Sequence, residues 1–324
     1  MEIAVVILNW NGKSLLETFL PSVVAHSSTT SIYIIDNGST DASKSFVQKN
    51  YPQIHWVGLD KNYGFAGGYN RGLSKIKADM YCLLNSDVEV TANWLAPFEN
   101  AFLDPSLHIA QPLLLDYNKK THFEYAGAAG GYLDQLGYPY CRGRIFDVLE
   151  QNTDQYATDT ILWASGACLF IRTKTFHLLD GFDESYFMHQ EEIDLCWRAF
   201  NHGFTAKAIS EAVVYHVGGA TLPNSSKKVF YNFRNSLFSL TKNAPKGQLF
   251  PLVFLRLLLD GIAGLRFLLK GEIALLGMIL KAHFSFYSHL IQLLRKRKKL
   301  PQKKGYFATR SIVWDHFILK KSKI

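Results

Sequence analysis

Over its first ninety residues the chain alternates short runs rich in β-branched and aromatic side chains with longer stretches of mixed polarity. The runs IAVVIL, SIYIID, IHWVGL and MYCLLN read as strands, and Lys13 to His26, Asp41 to Asn50 and Ala66 to Lys77 read as the helices between them. This rhythm predicts an α/β fold, a mostly parallel sheet covered by helices. Each run ends in polar or glycine-bearing residues (NWNG, DNGSTD, NYGFAGG, NSD). These clusters are expected at the carboxyl ends of the strands, where ligands bind in such sheets.

From His108 to Tyr156 the pattern weakens into Gly, Tyr and Pro, which predicts hairpins and a mobile loop rather than a new domain. A strand pair around ILWASGACLFIR, a helix near Glu191 to His202 and a strand TAKAISEAVVYH extend the same body to about Gly219. Beyond Gln248 two apolar stretches follow, LFPLVFLRLLLDGIAGLRFLLK and IALLGMILKAHFSFYSHLIQLL, and then RKRKK. The expected division is therefore residues 1–248 as the catalytic unit and 249–324 as a helical, basic region. On a helix, Arg256, Asp260, Arg266 and Lys270 fall within roughly a third of the circumference, so the first stretch is expected to be amphipathic and interfacial. The second approaches spanning length but is interrupted by Lys281, His283 and His289. A helical hairpin packed on the catalytic body is the competing expectation.

Charge sharpens this picture. The net +8 is carried by the tail: residues 295–324 hold eleven Lys/Arg against one acid, which leaves the rest slightly acidic. A basic tail on such a body predicts contact with an anionic membrane rather than nucleic acid, for which no recognition motif is present. Cys82, Cys141, Cys168 and Cys196 form no CxxC pair and sit mostly in apolar runs, as buried thiols of a reducing compartment do. The apolar start lacks the basic region of a signal peptide, so export is not expected and a cytoplasmic, membrane-peripheral location is.

The segments ILNWNG, IIDNGSTD, NYGFAGGYN, LLNSDVEV, GFDESYFMHQEEIDLCWR and VVYHVGGAT stand in this order over roughly Ile3 to Leu240. Together they resemble the motif series of family 2 glycosyltransferases, most closely the rhamnosyltransferase-like branch. The resemblance implies a GT-A fold, a nucleoside-diphosphate sugar donor (dTDP or UDP, with rhamnose favoured), a Mg²⁺ or Mn²⁺ ion and inversion at the anomeric carbon. The acceptor it suggests is a glycan or polyprenyl-linked glycan in surface polysaccharide synthesis. Two rivals are a sugar nucleotidylyltransferase, whose Gly-rich basic loop is missing, and an inactive membrane-tethered sugar-nucleotide or glycan-binding protein.

The resemblance assigns Asp36 to the N3–H of the base, with Asn9, Trp10, Asn11, Asn37, Asn62, Gly67, Asn70, Asn85 and Ser86 around the nucleotide. Asp36 as a turn or cap aspartate and Trp10 as core remain open, and Asp41 reads mainly as such a turn or cap aspartate. Gly64, Gly67 and Gly68 lack GxGxxG spacing, so a nicotinamide enzyme has no support. In Asn85-Ser86-Asp87, residues i and i+2 point to one side. The resemblance makes Asp87 the metal carboxylate, with Asn85 replacing the first acid of a DxD, and makes His216 the ligand that completes the site. It puts the catalytic base on Glu192, where the family usually carries Asp, with Glu191 as the alternative and Asp194–Arg198 as an i,i+4 helix pair. Trp163, Ser165 and Gly166 are the expected acceptor side, and Arg234 a candidate for the donor diphosphate.

Overall fold

The computed structural model describes residues 1–218 and 226–321. The first elements are β1 (Ile3–Asn9), α1 (Lys13–His26), β2 (Ser31–Asp36), α2 (Ser43–Asn50), β3 (His55–Gly58), α3 (Gly64–Leu73) and β4 (Met80–Leu84). β1 pairs in parallel with both β2 and β4, and β2 with β3. These strands are apolar on both faces because both faces are covered. Leu16, Leu20 and Val23 of α1 meet Val5, Ile7 and Cys82 on one side, while Ala66, Tyr69 and Leu73 of α3 meet Val6, Ile35 and Leu83 on the other. The approach of α3 is close: a Cβ on Gly72 would lie 2.2 Å from the Ile35 Cδ1.

Next come β5 (Val88–Val90), α4 (Ala96–Ala101) and β6 (Leu107–Asp116). The hairpins expected after His108 are present as a separate antiparallel sheet of β7 (Gly131–Leu133), β8 (Pro139–Cys141), β9 (Arg144–Ile145) and β10 (Val148–Leu149). β11 (Asp159–Ile161) and β12 (Cys168–Arg172) are followed by α5 (Thr173–Leu178), α6 (Glu191–Asn201) and β13 (Thr205–His216). The main sheet runs β11-β13-β6-β12-β4-β1-β2-β3, with β5 on β13. β11 and β12, expected as a pair, do not touch each other in the sheet. β12 inserts antiparallel between β4 and β6, and β11 edges onto β13. All four cysteines are buried and unpaired.

The C-terminal part consists of α7 (Ser226–Asn243), α8 (Leu249–Leu269), α9 (Ile273–Lys299) and α10 (Ile312–Phe317). Its polarity inverts the expectation for α8. Arg256 and Asp260 are 2% and 0% exposed and face the protein, not an interface with headgroups. Arg256 donates to the Leu136 carbonyl and Ser236 Oγ and stacks on Tyr138, while Asp260 meets His283 of α9 at 3.1 Å. The reason is that the loop around Tyr138 and the polar side of α7 offer partners there, while Arg266 and the Lys270 that follows α8 remain exposed. The tail Arg295–Lys299 is divided too: Lys296 bonds Asp183 and Arg297 donates to the Thr241 and Lys242 carbonyls.

A buried ionic cluster joins these helices to the body. Lys242, 2% exposed, bonds Asp183 (2.6 Å) and Asp194 (2.8 Å), and Arg198 and Asn243 also bond Asp194. Asp194–Arg198 is thus an i,i+4 pair, but a buried one. Burial would raise the Asp183 carboxyl, and Lys242 and Lys296 beside it overcome this and hold it well below the usual range. Lys242→Met removes one partner and leaves two carboxylates facing each other. It is expected to cost about 3–5 kcal/mol of stability in urea denaturation.

Candidate active site

β1, β2 and β4 end side by side, so the residues that follow them share one edge. Asn9 is paired with Asp36 in the register of β1 and β2. Its Nδ2 donates to Asp36 Oδ1 (3.0 Å) and Ser39 Oγ (3.1 Å), and the Ser39 N–H donates to the second Asp36 oxygen. Asp36 is therefore held in place with part of its accepting capacity free, and the buried Asn9 Oδ1 has no hydrogen-bond partner among the described residues. Asn11, at φ +49°, accepts from the Thr40 and Asp41 N–H groups. Asp41 accepts from the N–H of Lys13 and of Ser43, a turn aspartate that ties the start of α1 to the start of α2. Trp10 is 52% exposed and so is not core. A Cβ on Gly12 would lie 2.6 Å from Asn9 Oδ1 and 3.9 Å from Ser86 Oγ, which brings Ser86 to the same corner.

Other expected nucleotide contacts are engaged elsewhere. Asn37 binds Asn62 and the Gly64 carbonyl and accepts from the Tyr63 N–H, so Asn37 and Asn62 shape the turn into α3. Asn70 is turned away from a ligand: it donates to the Phe182 carbonyl and accepts the Phe182 N–H. Gly67 faces Arg71 and Tyr63 rather than an open cleft. On the expected acceptor side, Trp163 is core, packed on Gly131 with its Nε1 donating to the Tyr132 carbonyl. Ser165 is buried, its N–H bonded to Gln111 and its Oγ accepting from Ala167. Of that trio, only Gly166 faces the centre, 3.9 Å from the Glu192 Cβ by the position its own Cβ would take. The Asn85 N–H donates to the Ala167 carbonyl, linking this edge to the end of β4.

Antiparallel pairing of β5 with β13 sets His216 opposite Val88, the residue after Asp87. His216 Nε2 lies 3.1 Å from Asp87 Oδ1, and both side chains are buried. On the other side His216 Nδ1 is 3.3 Å from Glu124 Oε2, although no well-aligned hydrogen bond reaches it. Burial alone would lower the pKa of this histidine, but the two carboxylates outweigh it and hold the ring at about 10. A divalent ion with oxygen and nitrogen ligands at about 2.1 Å holds adjacent ligands roughly 3 Å apart. The Asp87–His216 spacing fits that geometry. Among the described residues no group of three or more His, Cys, Asp and Glu side chains forms a metal cage. Such an ion would take its remaining ligands from phosphate oxygens and water. Gly219, Ala220 and Thr221 of the VVYHVGGAT segment lie outside the described residues.

Glu124 was not singled out in the sequence, where it stands in a Gly/Tyr-rich stretch without a motif; an acid directly between Phe123 and Tyr125 is its only signal. By analogy with carboxylates that orient ligating histidines, Glu124→Gln is expected to weaken Mn²⁺ affinity roughly 10- to 100-fold. Calorimetric titration of the ion measures it.

Glu191 and Glu192 begin α6. Glu191 is 4% exposed, and burial together with the neighbouring Glu192 charge pushes its carboxyl well up. Glu192 is partly open; burial raises it and the helix-start N–H groups pull it back, leaving it at about 7. A group poised there can accept a proton at neutral pH. Each has one buried oxygen without a hydrogen-bond partner among the described residues.

The loop before them contains Phe187, His189 and Gln190 at φ between +63° and +68°. Such conformations cost about 1–3 kcal/mol each and persist only when the surroundings enforce them. α7 does so: Arg234 donates to the Ser185 and Tyr186 carbonyls, and Asn235 to those of Tyr186, Met188 and His189. Arg234, expected at the donor diphosphate, is instead buried and braces this loop.

The sequence profile described as glycosyl transferase family 2 matches residues 4–176. The N-acetylglucosaminyl-diphospho-decaprenol L-rhamnosyltransferase of Mycobacterium tuberculosis is 27% identical over 225 residues, 62% of this chain and 71% of that protein. The low-salt glycan biosynthesis hexosyltransferase Agl10 of Haloferax volcanii is 21% identical over 241 residues, 72% and 74% of the two chains. In fold, the chain resembles GalNAc-T7, solved with UDP, GalNAc and Mn²⁺ (TM-score 0.60, 17% identity), over 76% of this chain and 48% of that one. It also resembles the mannosyltransferase PcManGT of Pyrobaculum calidifontis, solved with GDP-Man and Mn²⁺ (TM-score 0.51, 14% identity), over 92% and 87%. These likenesses establish a GT-A fold with C-terminal helices added.

Proposed function

Because this chain belongs to glycosyl transferase family 2, we propose that it moves a sugar, rhamnose first among the candidates, from a dTDP or UDP donor to a hydroxyl of a lipid-linked glycan, with inversion. The observation that carries the proposal is the convergence of Asp87 and His216, 3.1 Å apart, on the edge that also holds Asp36 and leads through Gly166 to Glu192. The similarity to a transferase named for a diphospho-decaprenol acceptor supports the lipid-linked substrate. Two structures of the same fold solved with Mn²⁺ support a divalent cation. We take residues 1–248 as the catalytic unit and 249–324 as the part that keeps it at the inner face of the cell membrane.

In this reading Asp36, with Asn9, Trp10 and Asn11, holds the nucleoside, and Asp87 and His216 face the diphosphate. Mg²⁺ or Mn²⁺ bound between them would act as a Lewis acid for the leaving diphosphate. Glu192 takes the proton of the acceptor hydroxyl as its oxygen bonds to the anomeric carbon. The bond from that carbon to the phosphate oxygen breaks with its electron pair going to the diphosphate, and one such displacement inverts the centre.

Purified protein incubated with a panel of nucleotide sugars and Mn²⁺ tests this. Slow release of dTDP or UDP, stopped by EDTA, is expected. Binding of a nucleotide sugar with no release under any condition would favour the inactive binding protein.

A further inference from the structure

α8 turns Arg256 and Asp260 inward, α9 packs on the body through Ile279, Ala282, Phe286 and Leu293, and both helices present an apolar surface outward. On α8, Phe250, Phe254, Leu258, Ile262 and Leu265 recur at three- and four-residue spacing and are all exposed. On α9, Leu280, Phe284, Tyr287 and Ile291 do the same. Two adjoining helices exposing such stripes exceed the scattered apolar residues normal on a surface, and the pattern is that of an interaction face. Arg256, Asp260 and His283, which would mark the water side of an amphipathic helix, are spent on contacts with the body and with each other.

The charges around this face select its occupant. From Leu249 to Leu300 the exposed charges are Arg266, Lys270, Lys281, Arg295, Lys298 and Lys299 against Glu272 alone. A second copy of the chain would bring like charges together around the contact. An anionic lipid leaflet neutralises them, each basic residue near it adding to the attraction.

α9 has 27 residues and is the one described helix long and apolar enough to cross a membrane. Its packing argues against crossing. Phe286 and Leu293 lie with Leu237 and Phe238 of α7 in one buried cluster. Its last turns bond Asp183 and the carbonyls that end α7. The middle and the C-terminal end of α9 are therefore fixed to the body and to a helix that braces the catalytic loop, and a span would strip those contacts away.

We infer that α8 and α9 together form a one-sided lipid-docking face: the hairpin lies in the plane of one anionic leaflet, immersed by its outward apolar side, and does not span. This rests on the membrane attachment proposed above and adds its surface and geometry. The test is flotation of the full chain with vesicles of phosphatidylcholine and phosphatidylglycerol, alongside Leu258→Glu/Phe284→Glu. Both positions are exposed, so the variant should keep its melting temperature and its donor hydrolysis while losing roughly tenfold in vesicle affinity for each side chain. Two further variants, Glu272→Cys and Lys299→Cys, mark the two ends of α9, and the four native cysteines are buried. An impermeant maleimide added outside vesicle-bound protein should label both. No flotation of the unaltered chain would sink the membrane attachment itself. Flotation unchanged in Leu258→Glu/Phe284→Glu would overturn the docking face alone, as would protection of one end of α9 or the loss of a dimer in that variant.

Discussion

Asp87→Ala is expected to lower kcat/KM by on the order of 10³ or more, with the melting temperature changed little. Asp87 is the last residue of the Asn85-Ser86-Asp87 turn, and β5 begins immediately after it. The pairing of Val88 with His216 and the bond from the Val217 N–H to the Asp87 carbonyl hold the backbone whatever the side chain. Alanine therefore removes one oxygen donor without removing the scaffold. The loss should appear in kcat more than in donor KM, because the charge this site meets is greatest as the diphosphate departs. Without the ion, the two carboxylates keep His216 protonated up to about pH 10. Binding must displace that proton, so apparent Mn²⁺ affinity should rise with pH through the neutral range.

Glu192→Gln should reduce kcat by 10² to 10⁴, the usual worth of a positioned general base. The pH profile separates this role from a structural one. With its carboxyl raised to about 7, Glu192 is deprotonated and able to accept above that pH and protonated below it. The rate of the unaltered enzyme should fall about tenfold per unit below pH 7 and level off above it. In Glu192→Gln that limb should vanish and leave a low, flat rate, while Glu191→Gln should keep it, since the limb belongs to Glu192. A variant at Glu192 that keeps the limb would move the base elsewhere.

Much of this was legible in the chain because strand ends carry their own chemistry. Asp36 and Asp87 follow apolar runs that could only be inner strands, and parallel pairing then brings the two turns to one edge. β6 was missed because its run contains Gln111 and Pro112, residues that argue against a central strand. The structure explains the exception. The register with β13 shifts between Ile209 and Val213, at Pro112, so the missing N–H falls where the ladder is already broken. Glu124 was invisible because it reaches His216 across the sheet, from a segment with no periodicity. Arg234 misled because a guanidinium in a motif suggests phosphate, whereas here the Ser185 and Tyr186 carbonyls, just before the positive-φ residues of the loop, take its donors. The stripe expected on α8 is divided, with Arg256 and Asp260 buried and Arg266 and Lys270 exposed, because spacing along one helix does not say which side faces the body; Ser236, Tyr138 and His283 decide that for the buried pair.

Titration of dTDP and UDP into the protein, with Mn²⁺ and with EDTA, tests the shared cation and diphosphate site most directly. Nucleotide should bind more tightly in Mn²⁺. Asp87→Ala should erase that gain, and Glu192→Gln should preserve it. A gain that survives in Asp87→Ala would contradict the site.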